Sequence, residues 1–83
     1  MADASLDDIY DLKGLNCPLP VLKTRKRLAG MKPGALLRIA TTDPLAAIDI
    51  PAFCNQAGHE LVEKMASGSG HQFLIRRGQK TAD

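Results

Sequence analysis

The fold is decided by Asp8-Ile9-Tyr10-Asp11-Leu12-Lys13-Gly14-Leu15-Asn16-Cys17-Pro18-Leu19-Pro20 and the eleven residues after it, Val21 to Met31. Residues 8–13 carry β-prone side chains and stop at Gly14, which predicts a short first strand. Beyond it the period changes. Val21, Thr24, Leu28 and Met31 recur at i, i+3, i+7 and i+10, one stripe of a helix, with Leu22 and Ala29 widening it. The helix is expected to begin at Pro18 and to end near Gly30, before the Lys32-Pro33-Gly34 turn.

Outward from that unit the alternation continues. Ala35 to Thr41, with Leu36, Leu37 and Ile39, reads as a second and largely buried strand. Asp43-Pro44 is a helix start, a capping acid followed by proline at the first helical position. Leu45, Ile48, Ala52 and Phe53 then support helix, although Pro51 interrupts it. One kinked helix and a turn followed by a helix capped by Asp49 both fit; Gly58 ends the segment either way. His59 to Ala66 and His71 to Arg77 are strand-like runs separated by Ser67-Gly68-Ser69-Gly70, a hairpin with a loop slightly longer than the tightest turns. The order is βαβαββ. Helices between the early strands imply a parallel pair, and the hairpin adds an antiparallel one. The expected fold is a two-layer α+β sandwich, a four-stranded mixed sheet with two helices on one face.

Composition fits one small domain spanning residues 1–83, with its core over about 6–78 and a fraying polar tail at 79–83. Hydrophobic residues make up 45% and charged residues 24% of the 83, which excludes disorder and low complexity as the main state. A single Tyr, two Phe and no Trp provide no aromatic platform for bases, and a net charge of +2 does not by itself call for a nucleic acid. Two cysteines are too few for a disulfide-stapled secreted protein. The acidic N-terminus lacks the pattern of a signal peptide, and no apolar run is long enough for a bilayer. A cytoplasmic protein with both thiols reduced is expected.

The chemistry concentrates at Cys17-Pro18-Leu19-Pro20. With the helix starting at Pro18, Cys17 takes the N-cap position, facing free backbone N–H groups and the positive end of the helix dipole. That placement predicts a thiol pKa below the free value of about 8.5. Pro18 and Pro20 lose no helical hydrogen bond in the first turn and restrict φ on either side of Leu19, a stiff mount for the sulfur. Lys23, Arg25, Lys26 and Arg27 follow, with Lys23, Lys26 and Arg27 facing away from the apolar stripe, a basic rim suited to an acidic protein partner. Taken alone, a basic helix face is ordinary solvated surface, and a cysteine at a helix start is often mere packing.

The other candidates are plainer. Cys54, between Phe53 and Asn55, reads as core. No base adjoins Cys17 in sequence, though His59 or His71 could approach it in space. Two Cys and two His match no familiar zinc spacing, and no metal or cofactor is expected. His59 is read as starting a strand and partnering a nearby polar group. A chain this short has no second domain with which to form a deep cleft, so an exposed nucleophile fits a carrier better than a catalyst with its own small substrate.

Asp11-Leu12-Lys13-Gly14-Leu15-Asn16-Cys17-Pro18-Leu19-Pro20 resembles the signature of the TusA/SirA-type sulfur carriers, a strand and then a G-x-x-C-P-x-P entry into a helix. Thr42-Asp43-Pro44, Asp49-Ile50-Pro51, Phe53-Cys54, Gly58-His59-Glu60-Leu61 and Phe73-Leu74-Ile75-Arg76-Arg77-Gly78 are similar to later parts of that family's pattern. The resemblance covers about residues 6–78. It implies that Cys17 accepts a sulfane sulfur from a cysteine desulfurase as a persulfide, with Pro18 and Pro20 as its support, and passes it to an acceptor protein. The best-known relay of that family ends in 2-thiolation of a tRNA wobble uridine, and tRNA itself need not touch the carrier. Related destinations are molybdenum-cofactor maturation and sulfur oxidation. A non-catalytic interaction module in which Cys17 is structural is the alternative of a different class. A thiol oxidoreductase is disfavoured, because no resolving cysteine adjoins Cys17.

Overall fold

A computed structural model describes residues 9–79. The elements run β1 (Ile9–Asp11), α1 (Leu19–Ala29), β2 (Leu36–Thr41), α2 (Ala46–Ala57), β3 (Glu60–Ser67) and β4 (Gly70–Arg76). The sheet order is β1-β2-β4-β3. β1 pairs parallel to β2 with Tyr10 opposite Ile39, and β4 pairs antiparallel to both β2 and β3. The expected βαβαββ sandwich with a mixed sheet is the observed fold. The first strand is shorter than the expected 8–13: Asp8 lies outside the described residues, and Lys13 turns away as its N–H donates to Asp11 Oδ1 at 3.0 Å.

Helix α1 buries Pro20, Thr24 and Leu28, with Val21 and Met31 packed at the margin. Leu22 and Ala29 are exposed, a correction to the expected stripe. The buried face follows the i, i+4, i+8 line from Pro20, which turns Leu22 outward. The core below joins Leu12, Leu28, Ile39, Ile50, Phe73 and Ile75, so both helices cover the same sheet face. Arg77 closes the far end of α1. Its buried side chain donates from Nε to Leu28 O at 2.8 Å, a carbonyl at the helix end that also accepts Met31 N–H at 3.0 Å.

Helix α2 is continuous through Pro51, which decides between the two readings of that segment. A proline there removes the N–H that would bond the carbonyl four residues back, that of Ala47. Lys64 Nζ, on β3, donates to Ala47 O at 3.2 Å and supplies the missing donor. Gly58 ends the helix in the left-handed region at φ 81°, where a glycine carries no Cβ penalty. The β3–β4 hairpin is tighter than the sequence predicts. Ser67 pairs with Gly70, leaving two residues in the turn. Gly68 is at φ 59° and Ser69 is not at positive φ, the pattern of a type II′ turn.

Parallel pairing of β1 and β2 puts both of their exits toward helices at one end of the sheet. There the two connections are tied together: Gly14 N–H donates to Thr42 Oγ1 at 2.9 Å, and Cys17 N–H to Asp43 Oδ2 at 2.6 Å. Ligand and reaction sites of open α/β sheets favour this end.

Candidate functional site

Cys17 is exposed on the β1–α1 connection. The helix begins at Leu19 with Pro18 in the cap position, so Cys17 stands one residue before the cap, a correction to its expected place. Pro18 and Pro20 carry no N–H, and Leu19 N–H is taken by Asn16 O at 2.8 Å. Two of the donors nearest the sulfur are therefore missing and a third is used, which leaves Val21 N–H as the nearest at the helix start. Pro20 is buried beneath the turn while Pro18 is exposed, so one proline anchors the mount and the other shapes its surface.

Two carboxylates hold the cysteine from the α2 side. Asp43 accepts Cys17 N–H through Oδ2, and through Oδ1 it accepts Leu45 N–H at 3.2 Å. One aspartate thus turns the chain into α2 and pins the thiol loop. Asp49, in the first turn of α2, accepts from Cys17 Sγ through Oδ2 at 3.4 Å. This contact pushes the Cys17 thiol above its ordinary range, with lost hydration and the charges of Asp49 and Asp43 acting in the same direction. The expected depression is overturned. The hydrogen bond to the Asp49 carboxylate, which holds the proton on sulfur, is the leading cause.

The other candidates are dispersed. Cys54 is buried at 1% exposure, and burial pushes its thiol up to about 11. His59 Nδ1 accepts Gly78 N–H at 2.9 Å, the expected polar partner, and burial followed by the charge of Arg77 lowers its pKa. Neither histidine hydrogen-bonds Cys17; the acid that approaches it is Asp49. Lys23 and Lys26 are exposed on α1 as expected, whereas Arg27 lies with its Cζ 3.8 Å above the Tyr10 ring. Among the described residues no cluster of three or more His, Cys, Asp or Glu is placed to hold a metal ion. Leu19, Leu45 and Ile48 are exposed at 42%, 51% and 67%, on the helix starts that carry Cys17 and its carboxylates.

This geometry can be set beside known proteins. The family model described as "Sulfurtransferase TusA" matches residues 8–77. The chain belongs to the TusA family. A relative named Sulfur carrier protein TusA, from Pseudomonas aeruginosa, is 42% identical over 73 residues, covering 88% of this chain and 92% of the relative. Another of the same name, from Allochromatium vinosum, is 42% identical over 74 residues, covering 89% of this chain and 97% of the relative. TusA-family membership makes this chain one of a family of sulfur carriers, and a carrier implies partners in a sulfur relay. No helix among the described residues of this TusA-family chain is long and apolar enough to cross a membrane.

Reading the sequence missed Asp43 and Asp49 as neighbours of the thiol, treating both as helix-capping acids. They lie 26 and 32 residues from Cys17, and no local pattern measures such a distance. The available signal was that this one stretch holds two aspartates, Asp43 and Asp49, where a single helix start needs only one.

Proposed function

We propose that this protein accepts a sulfane sulfur on Cys17 from a cysteine desulfurase, carries it as a persulfide, and delivers it to an acceptor protein. The single observation that carries the reading is the contrast in access within a sulfur-carrier family chain: Cys17 is exposed on a pinned turn while Cys54 is buried. Acceptance is an exchange. The Cys17 thiolate attacks the outer sulfur of the donor persulfide, the donor S–S bond breaks with its electron pair on the donor cysteine, and a new S–S bond forms on Sγ. The proton lost from Cys17 balances the one gained by the donor thiolate. Nearly equal bonds are broken and formed, so direction comes from partner binding and downstream consumption.

Pro18 and Pro20 limit the freedom of the turn and so reduce the ordering needed at each encounter. Leu19, Leu45 and Ile48 form the apolar centre of the docking face, with Lys23, Lys26 and Arg27 as a basic rim for an acidic partner surface. We assign the cytoplasm as the site of action and a relay for tRNA 2-thiouridine synthesis as its destination, with no direct nucleic-acid contact required. The test is intact-protein mass spectrometry after incubation with cysteine and a cysteine desulfurase. A reducible gain of one sulfur atom, absent from Cys17→Ser, is expected. No gain beside a desulfurase that loads another acceptor would move the protein to the interaction-module reading.

A further inference from the structure

The proposed exchange leaves one feature without a role. A carboxylate is a poor neighbour for a nucleophile that works as an anion, yet Asp49 Oδ2 stands 3.4 Å from Cys17 Sγ. The contact is specific. Asp43 already fixes the backbone of Cys17, so Asp49 is not needed to place the turn. Asp49 is also half-buried in the first turn of α2, on the element that carries the exposed Leu45 and Ile48.

The two states of a carrier differ at this atom. The empty cysteine holds a proton on Sγ and donates it to Oδ2. In the loaded cysteine, Sγ is bonded to a second sulfur and has no proton to give. The charge then sits on the outer sulfur, about 2 Å further along the S–S bond, as a persulfide is more acidic than a thiol. One carboxylate therefore attracts the first state and repels the second. We propose that Asp49 is a positioning residue that distinguishes the empty from the loaded carrier, holding the empty thiol through its S–H and turning the outer sulfur of the persulfide away toward solvent and the acceptor. The inference rests on the carrier reading above and deepens it.

The consequence is a bias toward unloading. In the exchange Cys17–S–SH + R–SH ⇌ Cys17–SH + R–S–SH, the thiolate of R–SH attacks the outer sulfur. The Sγ–S bond breaks with its electrons on Sγ, and Sγ regains a proton facing Asp49. Repulsion on the left and a hydrogen bond on the right both drive the reaction forward. The charged groups acting on Sγ are Asp49 and Asp43. Lys13 pairs with Asp11 at 2.9 Å, Lys64 is committed to Ala47 O, and Arg27 lies over Tyr10. Lys23, Arg25 and Lys26, exposed on α1, and His71 on β4 are not hydrogen-bonded to Cys17.

The test uses Asp49→Asn, which keeps the shape, and Asp49→Glu, which keeps the charge, with thermal melting confirming that both fold. The rate of Cys17 alkylation by iodoacetamide is followed against pH. Separately, each protein is loaded with inorganic polysulfide and equilibrated with reduced glutathione, and the loaded fraction at Cys17 is read by intact mass. In Asp49→Asn the alkylation midpoint falls, and the rate at pH 7 rises a few-fold, the gain in thiolate being partly cancelled by its lower nucleophilicity. The ratio of loaded to empty carrier rises by about 1.5- to 5-fold, the range of a single surface charge contact. Asp49→Glu returns both readouts toward wild type. An unchanged alkylation profile, or an unchanged loaded ratio, overturns the proposal. Chemical loading needs no desulfurase, so this result stands apart from the failure of the carrier reading in the desulfurase assay.

Discussion

The chain contains the same side chain in two settings that differ in almost everything except the direction of its pKa. Cys17 is exposed, pinned through its backbone N–H by Asp43 and met at its sulfur by Asp49. Cys54 is sealed in the core beside Ile50 and Phe53. Both thiols are pushed up, the first by a carboxylate that favours the S–H form and the second by loss of hydration. Acidity therefore does not separate the working cysteine from the packing one here. Access and mounting do, and the two demands fall on the two halves of one helix: Asp49 precedes Pro51, and Cys54 follows it.

The largest effect expected from this contrast is all or none. Cys17→Ser loses sulfur acceptance completely, whereas Cys54→Ser retains it while losing stability, because a hydroxyl without a partner in the core costs about 1–3 kcal/mol. Mapping of the persulfide-bearing peptide after desulfurase treatment checks both, and equal loss in the two variants would break the contrast. A second effect follows from the burial of Cys54. Its pKa is raised from 9.0 to about 11 in the folded chain, so the folded state keeps a proton that the unfolded state has released. The stabilisation is fully present below pH 9.0 and is lost as pH rises through about 11, a change of up to about 3 kcal/mol. Denaturation at pH 8 and pH 10.5 should show a decline that Cys54→Ala reduces strongly and Cys17→Ala reduces less, since the exposed thiol is raised in the same direction.

The fold was largely legible because its determinants are local. The stripe through Val21, Thr24, Leu28 and Met31 and the strand-like run around Phe73 and Ile75 each act within a few residues. Helix α2, by contrast, starts at Ala46 behind a Leu45 cap, later than the expected Asp43-Pro44 start, because Asp43 spends its carboxylate on Leu45 N–H and Cys17 N–H. What escaped depends on distance in the chain. The sign of the Cys17 shift turns on Asp49, 32 residues away, and the helix-start reading misses it because Pro18 takes the cap position and leaves Cys17 one residue before it. At Pro51 the carbonyl that loses its helical donor, Ala47 O, is met by Lys64 of another element. Leu22 was misplaced for a subtler reason. A stripe three residues wide admits two phases, and burial of Pro20 selects the one that leaves Leu22 outside.

A smaller effect tests the rim around the exposed thiol. Lys23→Glu, Lys26→Glu and Arg27→Glu together should weaken desulfurase binding by roughly tenfold at low ionic strength, since each exposed charge contact is worth about 0.2–1 kcal/mol. The contributions are not equal. Arg27 spends its guanidinium on the Tyr10 ring, so Lys23→Glu and Lys26→Glu should account for most of the loss. Calorimetric titration against the desulfurase, repeated at high salt, decides it. Equal binding by the triple variant at low salt removes electrostatics from docking and leaves Leu19, Leu45 and Ile48 to explain it.

The smallest effect concerns the joint between the two thiol environments. Pro51 lacks the N–H that would bond Ala47 O, and Lys64 Nζ fills the gap from β3 at 3.2 Å. Lys64→Met keeps the alkyl stem and removes the donor, so it should cost about 1 kcal/mol in chemical denaturation. In a Pro51→Ala background the helix supplies its own N–H to Ala47 O, and the same substitution should cost almost nothing. A coupling of about 0.5–1 kcal/mol between the two sites is the expected reading of the double-mutant cycle. Equal cost of Lys64→Met in both backgrounds would mean that the ammonium does not substitute for the missing amide. The break between the half of α2 that serves Cys17 and the half that buries Cys54 would then be held by packing alone.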